Sequence, residues 1–134
     1  MDSTDEKILD YLRDEGRASF TDIASDVGVS EGTVRNRVKK LQEEGIIERF
    51  TVKTREAGVS AVVMASVSTG REMSAIVADL PGETEVYEVT GDFDLVVKIS
   101  RTTVDSLNEA IDSIRAVDGV ESTRTYSVLK SHKL

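Results

Sequence analysis

The spacing of apolar side chains changes character once along this chain, between residues 45 and 59, and that change excludes a single core built from one kind of element. Before it, apolar residues recur at the three- and four-residue intervals of a helix; after it, they gather in short runs separated by helical stretches. Ser3-Thr4-Asp5-Glu6 predicts a capping box opening a first helix whose apolar face is Ile8, Leu9 and Leu12 and which ends near Gly16. Ser19 or Thr21 caps a second helix carrying Ile23, Ala24 and Val27 and stopping at Gly28. Ser30 caps a third, which runs through Glu44 to Gly45 with Val34, Val38 and Leu41 in an i, i+4, i+7 stripe. The tight Gly28-Val29 turn between the last two makes the unit a helix-turn-helix. Ile46, Ile47, Phe50 and Val52 then predict a short β segment where a wing would sit.

From Val59 the pattern predicts strand 59–68, helix 71–80, strand 84–90, strand 95–100, helix 103–116 and strand 120–129. Leu80-Pro81-Gly82 and Val117-Asp118-Gly119 close the two helices in similar ways, so the halves read as repeats of one β-α-β unit. The fold class is therefore α+β: a winged helix-turn-helix followed by a ferredoxin-like βαββαβ sandwich. Expected bounds are residues 1–52 for the first domain, 53–58 for a linker and 59–134 for the second. A sheet with helices on one face needs a cover on the other, and a second copy of the chain is the expected one.

Charge is the feature that resists a simple account. The 134 residues carry a formal net charge of −8, and both halves are acidic, whereas a nucleic-acid-binding chain is expected to be basic at least locally. One segment departs from the trend: Arg35-Asn36-Arg37-Val38-Lys39-Lys40 holds four positive charges and no acid. An acidic body with few lysines also fits a cytosol at very high salt, where carboxylates keep a protein hydrated. The absence of cysteine excludes disulfides and thiolate metal sites. The longest apolar run, Val59 to Val67, is well short of the roughly 20 residues that span a bilayer, and the charged N-terminus is unlike a signal peptide. A cytoplasmic protein with no membrane partner is expected.

Helical geometry decides what the basic segment can do. With Val34, Val38 and Leu41 turned inward, the opposite face presents Gly32, Asn36 and Lys39, flanked by Thr33, Arg35 and Lys40. Arg suits guanine edges, Asn suits adenine, and Lys, Thr and Ser suit phosphates, so double-stranded DNA is the expected partner. Gly32 lets the backbone approach closely, and Ser30 with the first helical N–H groups forms a phosphate site; Glu31, which would oppose an anion, is expected to face away or bond the helix terminus. Arg37, at the edge of the apolar stripe, either bridges helices of its own domain or touches phosphate. Arg17, Arg49 and Lys53 are further backbone contacts. The plainer alternative is a solvated helix face; its place on the second helix of a helix-turn-helix, in an otherwise acidic chain, favours DNA.

Ile8-Leu9 through Gly16-Arg17, Ile23-Ala24, Val29-Ser30, Val34-Arg35-Asn36-Arg37-Val38-Lys39-Lys40-Leu41 and Gly45-Ile46-Ile47 together resemble the DNA-binding domain of the Lrp/AsnC, or feast/famine, regulators. Leu80-Pro81-Gly82, Thr90-Gly91-Asp92-Phe93-Asp94 and Val117-Asp118-Gly119-Val120 resemble the effector domain of the same family, so the likeness covers nearly the whole chain. It implies a transcription regulator that senses a small metabolite, an amino acid by expectation, as a homodimer or an octamer of dimers, with no cofactor. Together with the acidic balance, it points to a halophilic archaeal source. The chain is shorter than the family pattern at its end, Lys130-Ser131-His132-Lys133-Leu134, which would weaken higher assembly or open the cleft.

Thr90 to Asp94 joins two antiparallel strands and reads first as a hairpin turn. Its ring and two carboxylates are also suited to hold an amino acid's ammonium, and the resemblance implies that this loop forms a ligand cleft between neighbouring dimers. Thr123 and Thr125 on the last strand are weaker candidates by the same analogy; surface strand threonines explain them more simply. Two rivals stand beside this account. One is a metabolite-binding or assembly module without DNA binding, favoured by the net charge. The other is an enzyme, since some proteins of this architecture resemble sirohaem decarboxylases. Acid–base chemistry of that kind needs internal histidines, and the chain has only His132, so no catalytic or metal-binding residue is expected.

Overall fold

The computed structural model describes residues 1–55, 58–132 and 134. The chain divides into two compact units, Met1–Arg55 and Glu56–Leu134. The expected linker, 53–58, includes residues 56 and 57, and the C-terminal run includes Lys133; these lie outside the described residues.

Three helices make the first unit: α1 (Ser3–Asp14), α2 (Phe20–Val27) and α3 (Glu31–Glu43). The capping box that opens α1 sits one residue earlier than expected and uses carboxylates at both ends. Asp2 Oδ1 accepts the Asp5 N–H at 3.0 Å, and Asp5 Oδ2 accepts the Asp2 N–H at 3.1 Å. Ser19 rather than Thr21 caps α2, and Ser30 caps α3, each hydroxyl accepting an N–H three residues on. Gly28 ends α2 at φ 82°, a conformation that favours glycine. The apolar faces meet as predicted. Ile8, Ile23, Val34, Val38 and Leu41 are almost wholly buried, with Leu9, Ala24 and Ile47 around them. Burial of each large side chain contributes roughly 1.5–3 kcal/mol.

After Gly45 the chain folds back, and the N–H groups of Ile46 and Ile47 both donate to the Leu41 carbonyl. That return buries Ile47. No strand forms between residues 46 and 55, contrary to the expected β segment. A lone extended segment in a three-helix unit has no second strand to bond, and Phe50 and Val52 are left exposed.

The second unit runs β1 (Val59–Val67), α4 (Met73–Ala78), β2 (Thr84–Glu88), β3 (Leu95–Arg101), α5 (Val104–Arg115) and β4 (Val120–Ser127). The sheet order is β2-β3-β1-β4 with every neighbour antiparallel, which is the split β-α-β arrangement expected. Most elements are shorter than their apolar runs. Leu80-Pro81 follows α4, whose first turn lacks a side-chain cap, and a hydrogen bond from the Val89 N–H to the Asp94 carbonyl closes the loop after β2.

Strand alternation sorts the sheet into two faces. Ala61, Val63 and Ala65 of β1 and Leu95, Val97 and Ile99 of β3 face the helices, where Ile76, Leu107, Ala110 and Ile114 complete the core. The opposite face is set by register: Tyr87, Val96, Met64 and Arg124 form one row across the strands, and Glu85, Lys98, Val62 and Tyr126 the next. Among the described residues no helix of this unit covers that face, and both tyrosines are about half exposed. Among the described residues, no helix is long and apolar enough to cross a membrane.

Candidate DNA and effector surfaces

Helix α3 divides as its sequence predicts. Val34, Val38 and Leu41 are buried, while Gly32, Arg35, Asn36, Lys39 and Lys40 are exposed and Thr33 is partly so. At its start, Ser30 Oγ accepts the Thr33 N–H and lies 2.8 Å from Thr33 Oγ1, so the two hydroxyls stand together beside the free N–H groups of the first turn. A Cβ added at Gly32 meets nothing within 4 Å, which leaves the backbone open to close approach. Asn36 has no side-chain partner among the described residues.

The cations are more engaged than the sequence indicated. Arg35 bonds the Glu31 carboxylate one turn earlier and lies 5.7 Å over the Phe20 ring. Glu31 is thus drawn along the helix and away from the terminus. Lys39 and Lys40 stand at 4.0 and 3.9 Å from Glu43 and Glu44. These pairs are solvent-exposed and weak, so a phosphate can displace them. Arg37 is different in kind, and of its two expected roles the structure displays the bridge: its guanidinium bonds Asp2 and reaches Asp5 Oδ1 at 3.3 Å. The guanidinium, and next the Asp5 N–H, hold the Asp2 carboxyl down at about 2, below its ordinary 3.8. Arg17, Arg49 and Lys53 are exposed.

The loop from Thr90 to Asp94 is a turn with Gly91 at φ 123°, and it is pinned at one end. Asp94 donates its N–H to the Ala65 carbonyl at 2.9 Å, and its Oδ2 accepts the Val67 N–H at 2.9 Å. One of the two carboxylates offered for an ammonium is therefore bonded to β1. Thr90 and Asp92 are exposed, and Phe93 is partly buried with the Arg124 guanidinium 5.6 Å over its ring. Thr123 pairs with Ala65 and Thr125 with Val63, on the helix-facing side of β4. Thr123 and Asp94 thus flank β1 at the same residue, Ala65, while Thr125 lies two pairs further along, opposite Val63. Among the described residues no group of three or more His, Asp or Glu is placed to hold a metal ion.

Sequence reasoning missed Phe20 under Arg35, Arg124 over Phe93 and the Asp2–Asp5 partnership with Arg37. The first two join residues of different elements with no local signal. The third was half visible, because Arg37 at the edge of an apolar stripe invites an acid on the neighbouring helix.

Comparison with known proteins agrees over the whole chain. Residues 1–48 match the model of a winged helix-turn-helix DNA-binding domain, and residues 60–134 match that of the Lrp/AsnC ligand binding domain. The transcriptional regulator FL11 of Pyrococcus horikoshii is 38% identical, the match covering 99% of this chain and 92% of the relative. The regulator LysM of Saccharolobus solfataricus is 39% identical, over 98% and 95%. These relatives are archaeal, and nothing in them supports the halophilic source suggested by charge. Escherichia coli AsnC superposes with a TM-score of 0.83 at 25% identity, covering 100% of this chain and 95% of that one. A Neisseria meningitidis regulator solved as an L-Met complex superposes at 0.85 with 22% identity, covering 100% and 93%. The chain belongs to the Lrp/AsnC family of DNA-binding transcription regulators.

Proposed function

We propose that α3 is the recognition helix, placing Arg35 and Asn36 in the major groove while Ser30, Gly32, Thr33, Lys39 and Lys40 meet the phosphate backbone. The observation that carries this is the exposed face of α3, where one uncommitted amide, three displaceable cations and a bare glycine lie together over a well-packed base. Two copies join through the uncovered sheet face, where Val62, Met64, Val96, Tyr87 and Tyr126 supply an apolar centre. This makes a homodimer that presents two recognition helices to a pseudo-palindromic site, and dimers assemble further. The regulator works in the cytoplasm without a cofactor and is not an enzyme.

The effector is an amino acid held at the loop 90–94, with Thr90, Gly91, Asp92 and Phe93 in contact and Asp94, Thr123 and Thr125 shaping the floor. Support comes from the matched ligand binding domain and from the Neisseria regulator, whose complex contains L-Met. Its binding shifts assembly or the angle of the DNA-binding heads, which requires unequal affinity for the two states. Fluorescence anisotropy of a duplex from the chain's own upstream region, with and without pooled amino acids, tests both halves. Saturable, sequence-preferring binding that one amino acid alters is expected. The second account, assembly without DNA binding, draws on the net charge of −8 and the paired cations of α3; absence of binding at every salt concentration would establish it.

A further inference from the structure

Among the described residues, Arg37 is the α3 cation whose carboxylate partners lie on another helix; Arg35, Lys39 and Lys40 pair with acids of their own segment. The two acids are not loose surface groups. Asp2 gives Oδ1 to the Asp5 N–H and Oδ2 to Arg37, while Asp5 gives Oδ2 to the Asp2 N–H and Oδ1 to Arg37. Each carboxylate thus uses one oxygen to cap α1 and the other to hold the guanidinium. The reciprocal cap fixes both oxygens in advance, so little side-chain freedom remains to be lost when Arg37 docks. Asp5 is nearly buried and Arg37 is only about one-third exposed, which shields their contact from solvent as the outer pairs are not, while Asp2 stays about half exposed.

Arg37 lies between Val34 and Val38 along α3, so a force on its side chain acts on the segment that bears Arg35, Asn36 and Lys39. The packed core fixes which face of α3 is buried, but the hydrophobic attraction behind it is non-directional. A bonded guanidinium at mid-helix supplies the missing direction. We propose that the α1 capping box doubles as a guanidinium cradle that sets the angle at which α3 meets DNA, making Arg37, Asp2 and Asp5 positioning residues. This rests on α3 being the recognition helix. It also takes Arg37 out of the set of phosphate contacts.

The sign of one substitution separates the two roles. Asp2→Asn keeps a capping oxygen but removes a negative charge beside the DNA-facing helix. Electrostatics alone predicts tighter DNA binding; loss of the cradle predicts weaker. Anisotropy titration of the upstream duplex and a scrambled duplex, over a KCl series, is the measurement. For Asp2→Asn, the expected result is a Kd for the upstream duplex raised about three- to tenfold, a smaller preference over the scrambled sequence and an unchanged salt slope. Arg37→Lys serves as the second variant, because lysine replaces a phosphate contact well but not a guanidinium shared by two carboxylates. It is expected to lose the same preference. Equal or tighter binding by Asp2→Asn, or full retention by Arg37→Lys, overturns the cradle while leaving α3 as the reader. Lack of sequence-preferring binding by the unmodified chain overturns both.

Discussion

Gly32 offers a substitution in which stability and DNA binding are expected to move in opposite directions. It is the second residue of α3, exposed, and a Cβ built on it meets nothing within 4 Å. Alanine therefore fits without strain. Replacing glycine by alanine favours a helix by up to ~1 kcal/mol in its interior, and about half that is expected in the first turn. For a unit of this size, that raises Tm by roughly 2–4 °C. If the backbone at Gly32 approaches a phosphate, the same methyl group stands in the contact and holds the helix N-terminus off its anion. A loss of about tenfold in affinity corresponds to ~1.4 kcal/mol, within reach of one charge-assisted contact. Thermal unfolding by circular dichroism and anisotropy titration with the upstream duplex measure the two sides. Higher Tm with weaker binding is the expected pair. Higher Tm with unchanged Kd would refute close approach at Gly32, and lower Tm would refute the described start of α3.

Other substitutions and conditions test the remaining parts of the account. Asp94→Ala leaves the Val67 N–H without its acceptor and is expected to destabilise the second unit by about 1–3 kcal/mol in urea, whereas Asp92→Ala leaves stability unchanged and weakens amino-acid binding by calorimetry. Gly119 has φ 100°, and a Cβ there falls 2.8 Å from Ile76 Cδ1, so Gly119→Ala is expected to cost about 2 kcal/mol; Gly82→Ala, with nothing within 4 Å, serves as the neutral control. Because the Asp2 carboxyl is held near 2 when folded and near 3.8 when free, its contribution is present above about pH 4 and lost as pH falls towards 2. Acid titration should therefore show the stability gap between the unmodified chain and Asp2→Asn closing over that window. Lys39→Ala and Lys40→Ala are each expected to reduce the magnitude of the slope of log K against log[KCl] by about 1, as phosphate contacts do.

The elements that rest on periodic patterns were readable from sequence. Val34, Val38 and Leu41 announced the buried face of α3, and the alternation in β1 and β3 announced a sheet with one helical face. Failures came where a choice depended on something outside the segment. The expected cap was Ser3, whereas Asp2 caps α1, and the carboxylates of Asp2 and Asp5 are also held by Arg37 from another helix. Residues 46–52 have a strand's composition but no strand beside them in their own unit. At the loop 90–94 the residue types were legible, yet the division of labour between Asp92 and Asp94 was not, because the N–H that engages Asp94 belongs to β1, 27 residues away.

Hydroxyl-radical footprinting of the upstream DNA bears most directly on the central claim that paired α3 helices read a sequence. Two protected patches about one helical turn, 10–10.5 bp, or a multiple of it apart, are predicted for a dimer with two recognition helices, and both patches should weaken together when Arg35 and Asn36 are replaced by Ala. Protection without sequence preference, or patches that persist in that double variant, would contradict the claim.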